Sequence, residues 1–210
     1  MASCVVFCAA EFSGLVQPIT KEDYIIAADG GVRHTCALGI TPNAILGDFD
    51  SLEFVPENAQ VFPVEKDDTD AMLAVRHGLK RGFRHFLLYG GLDGPRIDHT
   101  LANFQLLQFL ADHGARGYLI GKDSIATVLK NGAVHFAPGA QGLISVFCIG
   151  QAACGVTLTG LQYPLENAVL TAGHPLGVSN HFMKRGACVQ VTDGSLLLIY
   201  DRTNGLCEEG

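Results

Sequence analysis

Carboxylates are concentrated in three short motifs that lie within about fifty residues of one another. The motifs are Gly47-Asp48-Phe49-Asp50-Ser51, Lys66-Asp67-Asp68-Thr69-Asp70 and Arg96-Ile97-Asp98-His99, and each falls where a predicted strand ends. Carboxylate oxygens are the hard ligands that Mg²⁺ prefers, and Mg²⁺ at such a site commonly carries nucleotide phosphates. The three motifs therefore predict a metal-dependent enzyme that acts on phosphates.

The first two acidic motifs also have ordinary structural interpretations. Asp48 and Asp50 can turn both carboxylates toward one ion, although Asp is also common in plain surface turns. The second motif opens a predicted helix, where acidic caps are usual. Its three carboxylates in four positions exceed what capping needs, and either a bound cation or the adjacent Lys66 would offset their repulsion. Thr69 and the free N–H groups of this helix start can also hold a phosphate.

Two glycine-rich turns are further candidates for a ligand site. Asp29-Gly30-Gly31 follows a predicted strand and precedes a helix, where glycine lets a ligand approach the backbone. The turn from Gly90 to Arg96 ends in an arginine whose planar fork suits phosphate, although a plain turn with a solvated arginine fits equally. His99 is either a proton acceptor or a local hydrogen-bonding residue. Neither a GxGxxG nor a Walker A motif occurs in the sequence.

The composition limits the class of protein. The chain has 210 residues, 48% of them hydrophobic, and a formal net charge of −7, so no general attraction to nucleic acid or anionic membranes is expected. Its seven cysteines are scattered without a CxxC pair, which indicates reduced thiols. The apolar N-terminus is short and lacks a basic region, and no apolar run reaches 18 residues. We therefore expect a soluble cytoplasmic protein.

The first part of the chain, residues 1–130, is predicted to be an α/β domain with a mainly parallel sheet covered by helices. Apolar runs alternate with helical patterns, and continuous apolar runs suit strands that are buried on both faces. In such sheets ligands bind outside the carboxyl ends of the strands, where the aspartates fall. The predicted strands are 5–9, 24–28, 44–46, 61–64, 86–89 and 118–120, and the predicted helices are 70–81 and 99–113.

The remainder, residues 131–210, is predicted to be a small all-β domain, a sandwich. Asp193-Gly194 between two apolar runs predicts a hairpin. About 80 residues make a marginal independent core, so packing against the first domain or a second subunit is expected. Ser179 and Asn180 are either an ordinary turn or polar donors for a second substrate. The predicted strands are 134–136, 143–148, 155–158, 169–170, 187–192 and 195–200.

Taken in order, the motifs resemble those of the thiamine pyrophosphokinase family over nearly the whole chain. The resemblance rests on Asp29-Gly30-Gly31, the three acidic motifs with Asn103, the segment from Gly155 to Leu165, and Gly177-Val178-Ser179-Asn180. It implies an N-terminal α/β domain, a C-terminal β-sandwich, and a homodimer with active sites at the subunit interface. It also implies transfer of the terminal diphosphate of ATP to the hydroxyl of thiamine, giving thiamine diphosphate and AMP.

The resemblance further implies roles for individual residues. By motif position, Asp48, Asp50 and Asp70 would hold Mg²⁺ and its polyphosphate, and Asp98 would approach the metal or the thiamine hydroxyl. Ser179 and Asn180 would contact the thiamine pyrimidine from the other subunit. Contacts to the nucleotide and its phosphates would come from Asp29, Gly30, Gly31, Asp68, Thr69, Arg96 and Asn103.

Two departures from the family pattern and two rival functions stay open at this stage. Pro95 intervenes between the glycines and Arg96, which affects the position of the guanidinium. The chain has no Trp to stack on thiamine, and Tyr163, His181 and Phe182 are the alternatives. The rivals are a Mg-dependent nucleotide hydrolase that uses the same carboxylates, and a non-catalytic sensor of nucleotide or thiamine. The acidic charge disfavours a DNA-binding module.

Overall fold

A computed structural model describes residues 2–49, 59–61 and 68–210, and the chain divides into two compact units, Met1–Lys122 and Asp123–Gly210. Asp50 and Asp67, both members of the acidic motifs, lie outside the described residues. The predicted domain boundary at residues 130/131 falls inside a strand, Ser124–Phe136, that belongs wholly to the second unit. This strand pairs along its length with a later strand of the same unit, which moves the boundary to 122/123.

The described part of the first unit contains six strands, and all of their pairs are parallel. Their order across the sheet is β6-β5-β1-β2-β3-β4. Cys4, Val5, Val6 and Phe7 of the central β1 have no exposed surface, because neighbouring strands and packed side chains enclose both faces. The strands are β1 (Cys4–Phe7), β2 (Tyr24–Ala28), β3 (Ala44–Gly47), β4 (Gln60–Val61), β5 (His85–Tyr89) and β6 (Arg116–Ile120).

Within the residues that the structure describes, three α-helices accompany these strands: α1 (Val32–Ala37), α2 (Asp70–Lys80) and α3 (Ile97–Asp112). Helix α2 begins where the Thr69 hydroxyl accepts a hydrogen bond from the Met72 N–H at 3.2 Å, a typical N-cap. A Cβ on Gly78 would lie 2.6 Å from the Phe86 ring, so the absence of a side chain there lets α2 pack closely on the sheet. Helix α3 begins two residues before the predicted start at His99.

The second unit is all-β, and its strand pairs are antiparallel. Its longest strand, β12, pairs with β7 on one edge; on the other edge it pairs with β9 along its first half and with β8 along its second half. Strand β10 continues beyond β9, and β11 continues beyond β8, so two branches share β12. The strands are β7 (Ser124–Phe136), β8 (Leu143–Cys148), β9 (Ala152–Thr159), β10 (Leu165–Thr171), β11 (Gly177–His181), β12 (Ala187–Asp201) and β13 (Glu208–Glu209).

The hairpin predicted at Asp193-Gly194 is wrong. Residues 187–201 form one strand, and its register with β7 shifts between Val191 and Ser195, which is a bulge. Gly194 has a φ of +111°, and its N–H donates to the Asn131 Oδ1 at 2.8 Å. A glycine at positive φ suits a bulge as well as a turn, and pairing with β7 on both sides of the bulge decides between the two.

Candidate active site

A cleft of about 500 Å³ lies at the carboxyl ends of the parallel strands of the first unit. Its walls come from the segments that follow β1, β2, β3 and β5 and from the first turns of α2 and α3. The lining residues are Cys8, Ala9, Ala10, Ala28, Asp29, Asp48, Thr69, Asp70, Ala71, Gly90, Gly91, Gly94, Pro95, Arg96, His99, Thr100 and Asn103. Members of all three acidic motifs therefore meet at one edge of the sheet, as expected for ligand sites of parallel sheets.

Asp29 enters the cleft from a short 3₁₀ turn after β2. It is only 8% exposed and has a φ of +47°, a conformation that Asp tolerates better than most residues. A Cβ on Gly47 would lie 3.0 Å from the Asp29 Cα, so the ends of β2 and β3 approach closely. Gly30 and Gly31, predicted to contact the nucleotide, are not among the lining residues. A Cβ on Gly31 would collide with the Phe7 carbonyl oxygen, so this glycine serves backbone packing.

Asp48 and Asp70 line the cleft from the end of β3 and the start of α2. Phe49, which follows Asp48, is 3% exposed with a φ of +59°, so its ring is packed into the core beside the carboxylate. Burial and, secondarily, the negative charge of Asp70 raise the pKa of the Cys8 thiol to about 12. Cys8 is therefore a neutral thiol at physiological pH.

Asp68 and Thr69 differ in placement although they are adjacent. Thr69 lines the cleft, and its hydroxyl oxygen accepts the Met72 N–H while its own O–H is available for donation. The Asp68 carboxylate instead forms an ion pair with Arg76 at 2.9 Å and does not line the cleft. Arg76 also lies over the Phe109 ring, 4.7 Å from its centroid, so the pair links α2 to α3.

The glycine-rich turn after β5 forms one wall of the cleft by close backbone approach. Gly90 has a φ of +68°, and a Cβ there would lie 2.6 Å from the Cys8 carbonyl oxygen. The Ala10 N–H donates to the Gly90 carbonyl at 3.0 Å, which joins the segments after β1 and β5. The buried Asn103 amide donates to the Gly91 carbonyl at 2.7 Å. Asn103, predicted to contact the nucleotide, thus lines the cleft and also supports its wall.

The segment Cys8–Ala10 is a part of the cleft that was not predicted from the sequence. These residues carry no charge or motif, so the only signal is their position directly after a buried strand. The His34 Nε2 lies 2.7 Å from the Ala10 carbonyl oxygen, and the Phe12 ring packs on His34 with centroids 5.6 Å apart. Small side chains here leave space beside Asp70 and Asp29 for a ligand.

Arg96 and Asp98 lie at the start of α3, and only Arg96 lines the cleft. The guanidinium donates to both carboxylate oxygens of Asp98, from Nη2 at 2.7 Å and from Nε at 3.3 Å. The hydrogen bond from Arg96 lowers the pKa of Asp98, and backbone and charge interactions with His99 act in the same direction. His99 itself lines the cleft.

In the second unit, Asn180 is an anchoring residue inside the fold. It is 3% exposed, and its Oδ1 accepts the N–H groups of Tyr163 and His181 at 3.0 and 2.9 Å. Its Nδ2 donates to the Tyr163 carbonyl at 2.7 Å. Ser179 is exposed with a φ of +57°, so its hydroxyl is open to a ligand. The predicted thiamine contact of Asn180 therefore competes with three internal hydrogen bonds.

The three aromatic alternatives to the missing Trp differ sharply in exposure. Phe182 is 6% exposed and packs on Phe136 with ring centroids 4.8 Å apart, so its ring belongs to the core. Tyr163 is 60% exposed, while its backbone is held by Asn180. His181 is also exposed. Tyr163 and His181 remain as the rings that a ligand can reach.

The fold and the cleft define a class of protein: an α/β unit with an acidic cleft at its strand ends, followed by an all-β unit. Among the residues described, no group of three or more His, Cys, Asp or Glu is placed to hold a metal ion. Within those same ranges, no helix has both the length and the apolar character needed to cross a membrane. The carboxylates of Asp48 and Asp70 with the guanidinium of Arg96 suit a substrate that carries both phosphate and a cation.

Comparison with known proteins identifies the family to which the chain belongs within this class. The family model for the thiamin pyrophosphokinase catalytic domain matches residues 15–119, and that for the thiamin pyrophosphokinase vitamin B1 binding domain matches residues 134–196. The thiamine pyrophosphokinase of Bacillus subtilis (strain 168) is 30% identical over 190 residues, which cover 83% of this chain and 85% of the relative. The chain therefore belongs to the thiamin pyrophosphokinase family.

Solved structures agree at the level of the fold. The crystal structure of thiamine pyrophosphokinase from Bacillus subtilis superposes with a TM-score of 0.82 at 24% identity, covering 95% of this chain and 98% of that chain. Thiamin pyrophosphokinase from Candida albicans superposes with a TM-score of 0.73 at 14% identity, covering 95% and 88%. The similarity therefore spans both units of the chain.

Proposed function

We propose that the protein is a thiamine diphosphokinase, which transfers the terminal diphosphate of ATP to the hydroxyl of thiamine and releases AMP. The observation that carries the proposal is the convergence of Asp29, Asp48, Asp70 and Arg96 in one cleft. This cleft lies in a chain that matches both the catalytic and the vitamin B1 binding domain models of the family. No feature of the described residues favours the hydrolase or the sensor over this function.

The nucleotide side of the reaction is assigned to the first unit. Arg96 offers a fork of N–H donors to phosphate oxygens, and Thr69 with the first N–H groups of α2 offers a second set of donors. Asp29 would contact the nucleotide from the opposite wall of the cleft. Diphosphate transfer needs an in-line approach of the acceptor hydroxyl to the β-phosphorus, so the main work of these residues is positioning and charge stabilisation.

The donor set of the cleft fits Mg²⁺. Asp48 and Asp70 supply hard carboxylate oxygens, and Asp50 would add a third from outside the described residues. Mg²⁺ keeps several waters and takes substrate phosphate oxygens, so two or three carboxylates are sufficient. When bound, the ion supplies neutralisation of the phosphate charge. The carboxylates would position the polyphosphate through this ion, since they would otherwise repel it.

We infer that the acceptor side is formed by Asp98 of one protomer and by the second unit of its partner. Asp98 would accept the proton of the thiamine hydroxyl or hold the hydroxyl in place. In the second unit, Ser179 offers an exposed hydroxyl, and Tyr163 offers an exposed ring whose backbone is fixed by Asn180. An aromatic face suits the cationic thiazolium and the pyrimidine of thiamine. Asn180 supports this site by holding Tyr163.

We also propose the finer features of the architecture and assembly. The parallel pairs and the contacts of α1 and α2 with the central strands support a nucleotide-binding unit with a helix-covered sheet, and the two branches of the second unit support a β-sandwich. We infer a homodimer with active sites at the subunit interface, and light scattering tests the dimeric state. We also infer a cytoplasmic location. Exposed apolar side chains on the second unit support an interface: Leu143, Tyr163, Val169, Leu176, Val178 and Met183.

A direct assay tests the proposed activity. Purified protein is incubated with ATP, Mg²⁺ and thiamine, and the products are followed by phosphorus NMR and chromatography. The proposal requires thiamine diphosphate and AMP in equal amounts. Formation of ADP or free phosphate, or turnover that does not depend on thiamine, would favour the hydrolase, and ligand binding without turnover would favour the sensor.

A further inference from the structure

The Arg96–Asp98 pair lies at the edge of the cleft with one partner inside the site and one outside it. Arg96 lines the cleft, and Asp98, two residues later, does not. Both side chains are about two-thirds exposed, at 66% and 64%, and two hydrogen bonds join them. The donors used are Nε and Nη2, which form one complete edge of the guanidinium.

We propose that Asp98 is an internal competitor for Arg96, and that an anion entering the cleft takes the guanidinium from Asp98 and releases its carboxylate. This inference rests on the proposed function only for the identity of the anion, a polyphosphate. Carboxylate and phosphate both match the planar fork of arginine. A phosphate on the remaining edge would lie beside the negative charge of Asp98, so the two anions disfavour each other at one guanidinium.

The exposure of the pair makes the exchange energetically accessible. Solvent-exposed ion pairs contribute little to stability, whereas a buried pair would hold Arg96 against an incoming ligand. The same exposure lets Arg96 turn toward the cleft without uncovering a buried charge. Asp98 is thus able to hold the arginine at the cleft mouth in the free protein and to yield it when the polyphosphate arrives.

The released carboxylate differs chemically from the paired one. The hydrogen bond from Arg96 is the main reason that the pKa of Asp98 is low, and His99 is the other neighbour that lowers it. Loss of the Arg96 contact therefore makes Asp98 a stronger proton acceptor and frees both of its oxygens. The exchange would couple filling of the phosphate site to preparation of Asp98 for the acceptor hydroxyl.

A double-mutant cycle on anion affinity tests the exchange. Binding of inorganic tripolyphosphate, in EDTA and at fixed ionic strength, is measured by titration calorimetry for wild type, Asp98→Asn, Arg96→Gln and the double variant. Asp98→Asn should bind about two- to fivefold more tightly than wild type, the range for losing an exposed competing pair. In the Arg96→Gln background the same substitution should have no effect, since there is no guanidinium to release.

A matched control separates exchange from a general charge effect. Asp112→Asn removes the same charge from the far end of α3, about 21 Å away at 1.5 Å per residue, and should leave the affinity unchanged. Three results would overturn the exchange. They are an equal gain in affinity from Asp98→Asn in the Arg96→Gln background, no gain from Asp98→Asn in the wild-type background, and failure of tripolyphosphate to bind. Because thiamine is absent, the cycle is independent of the activity assay: coupling without thiamine turnover rejects the proposed function alone.

Discussion

Replacement of Asn180 with Ala tests whether this residue anchors the fold or contacts a ligand directly. The substitution removes three hydrogen bonds of 2.7 to 3.0 Å from a side chain that is 3% exposed. At roughly 0.5–1.5 kcal/mol each, and with the Tyr163 backbone open to partial rehydration, the free energy of unfolding should fall by about 2–3 kcal/mol. For a chain of this size that corresponds to a melting temperature lower by about 5–10 °C.

The assay combines thermal unfolding with steady-state kinetics in thiamine. Gln151→Ala is the matched control, because it truncates an exposed amide of the same unit. The control should melt within about 0.5 kcal/mol of wild type. We expect Asn180→Ala to raise the KM for thiamine with little change in kcat, because Tyr163 is no longer held. Wild-type stability together with a large KM effect would refute the anchoring argument and restore Asn180 as a direct contact.

Three further predictions follow from individual side chains. Asp50→Asn and Asp70→Asn should each abolish turnover while leaving the melting temperature nearly unchanged, and activity retained with a large loss of stability would make the residue structural. Burial lowers the pKa of His77, and the charges of Arg81, which donates to its Nε2 at 2.9 Å, and of Lys80 lower it further. Because the folded protein resists protonation of this ring, the free energy of unfolding should be retained above about pH 6.5 and fall as the pH drops below it. The fall should be less steep in His77→Gln, which urea unfolding between pH 5 and 8 measures. Tyr163→Trp introduces the only Trp, and its fluorescence should be quenched by thiamine; an unchanged spectrum at saturation would exclude Tyr163 from the site.

Much of the first unit was predictable because its strands and helices are locally encoded. The apolar runs at residues 24–28 and 86–89 are strands in the structure, and the helix predicted over 70–81 spans Asp70–Lys80. The second unit was less predictable. Residues 124–131 belong to β7 although their apolar pattern was not assigned to a strand, and Gly194 forms a bulge in place of a hairpin. In both cases pairing between residues distant in sequence determines the outcome.

The chemical composition of the cleft followed from the sequence, but its walls did not. Asp29, Asp48, Asp70 and Arg96 were recognisable because charged side chains after predicted strands carry a chemical signal. The segment Cys8–Ala10 has no such signal and was missed, although it forms a wall beside them. Gly30 and Gly31 had the signal of a ligand-approaching turn, but the packing of Gly31 against β1 gives it another use.

The sequence by itself determined the family, the two-part organisation and the set of groups able to bind phosphate and metal, because ordered motifs and hydrophobic periodicity are local properties. Only the tertiary structure decided how those groups are used. Asp68 pairs with Arg76, Asn180 holds Tyr163, and Asp98, which does not line the cleft, binds Arg96, which does. A polar side chain bonds to whichever partners the fold brings within about 3 Å, and those partners depend on contacts that no sequence spacing specifies.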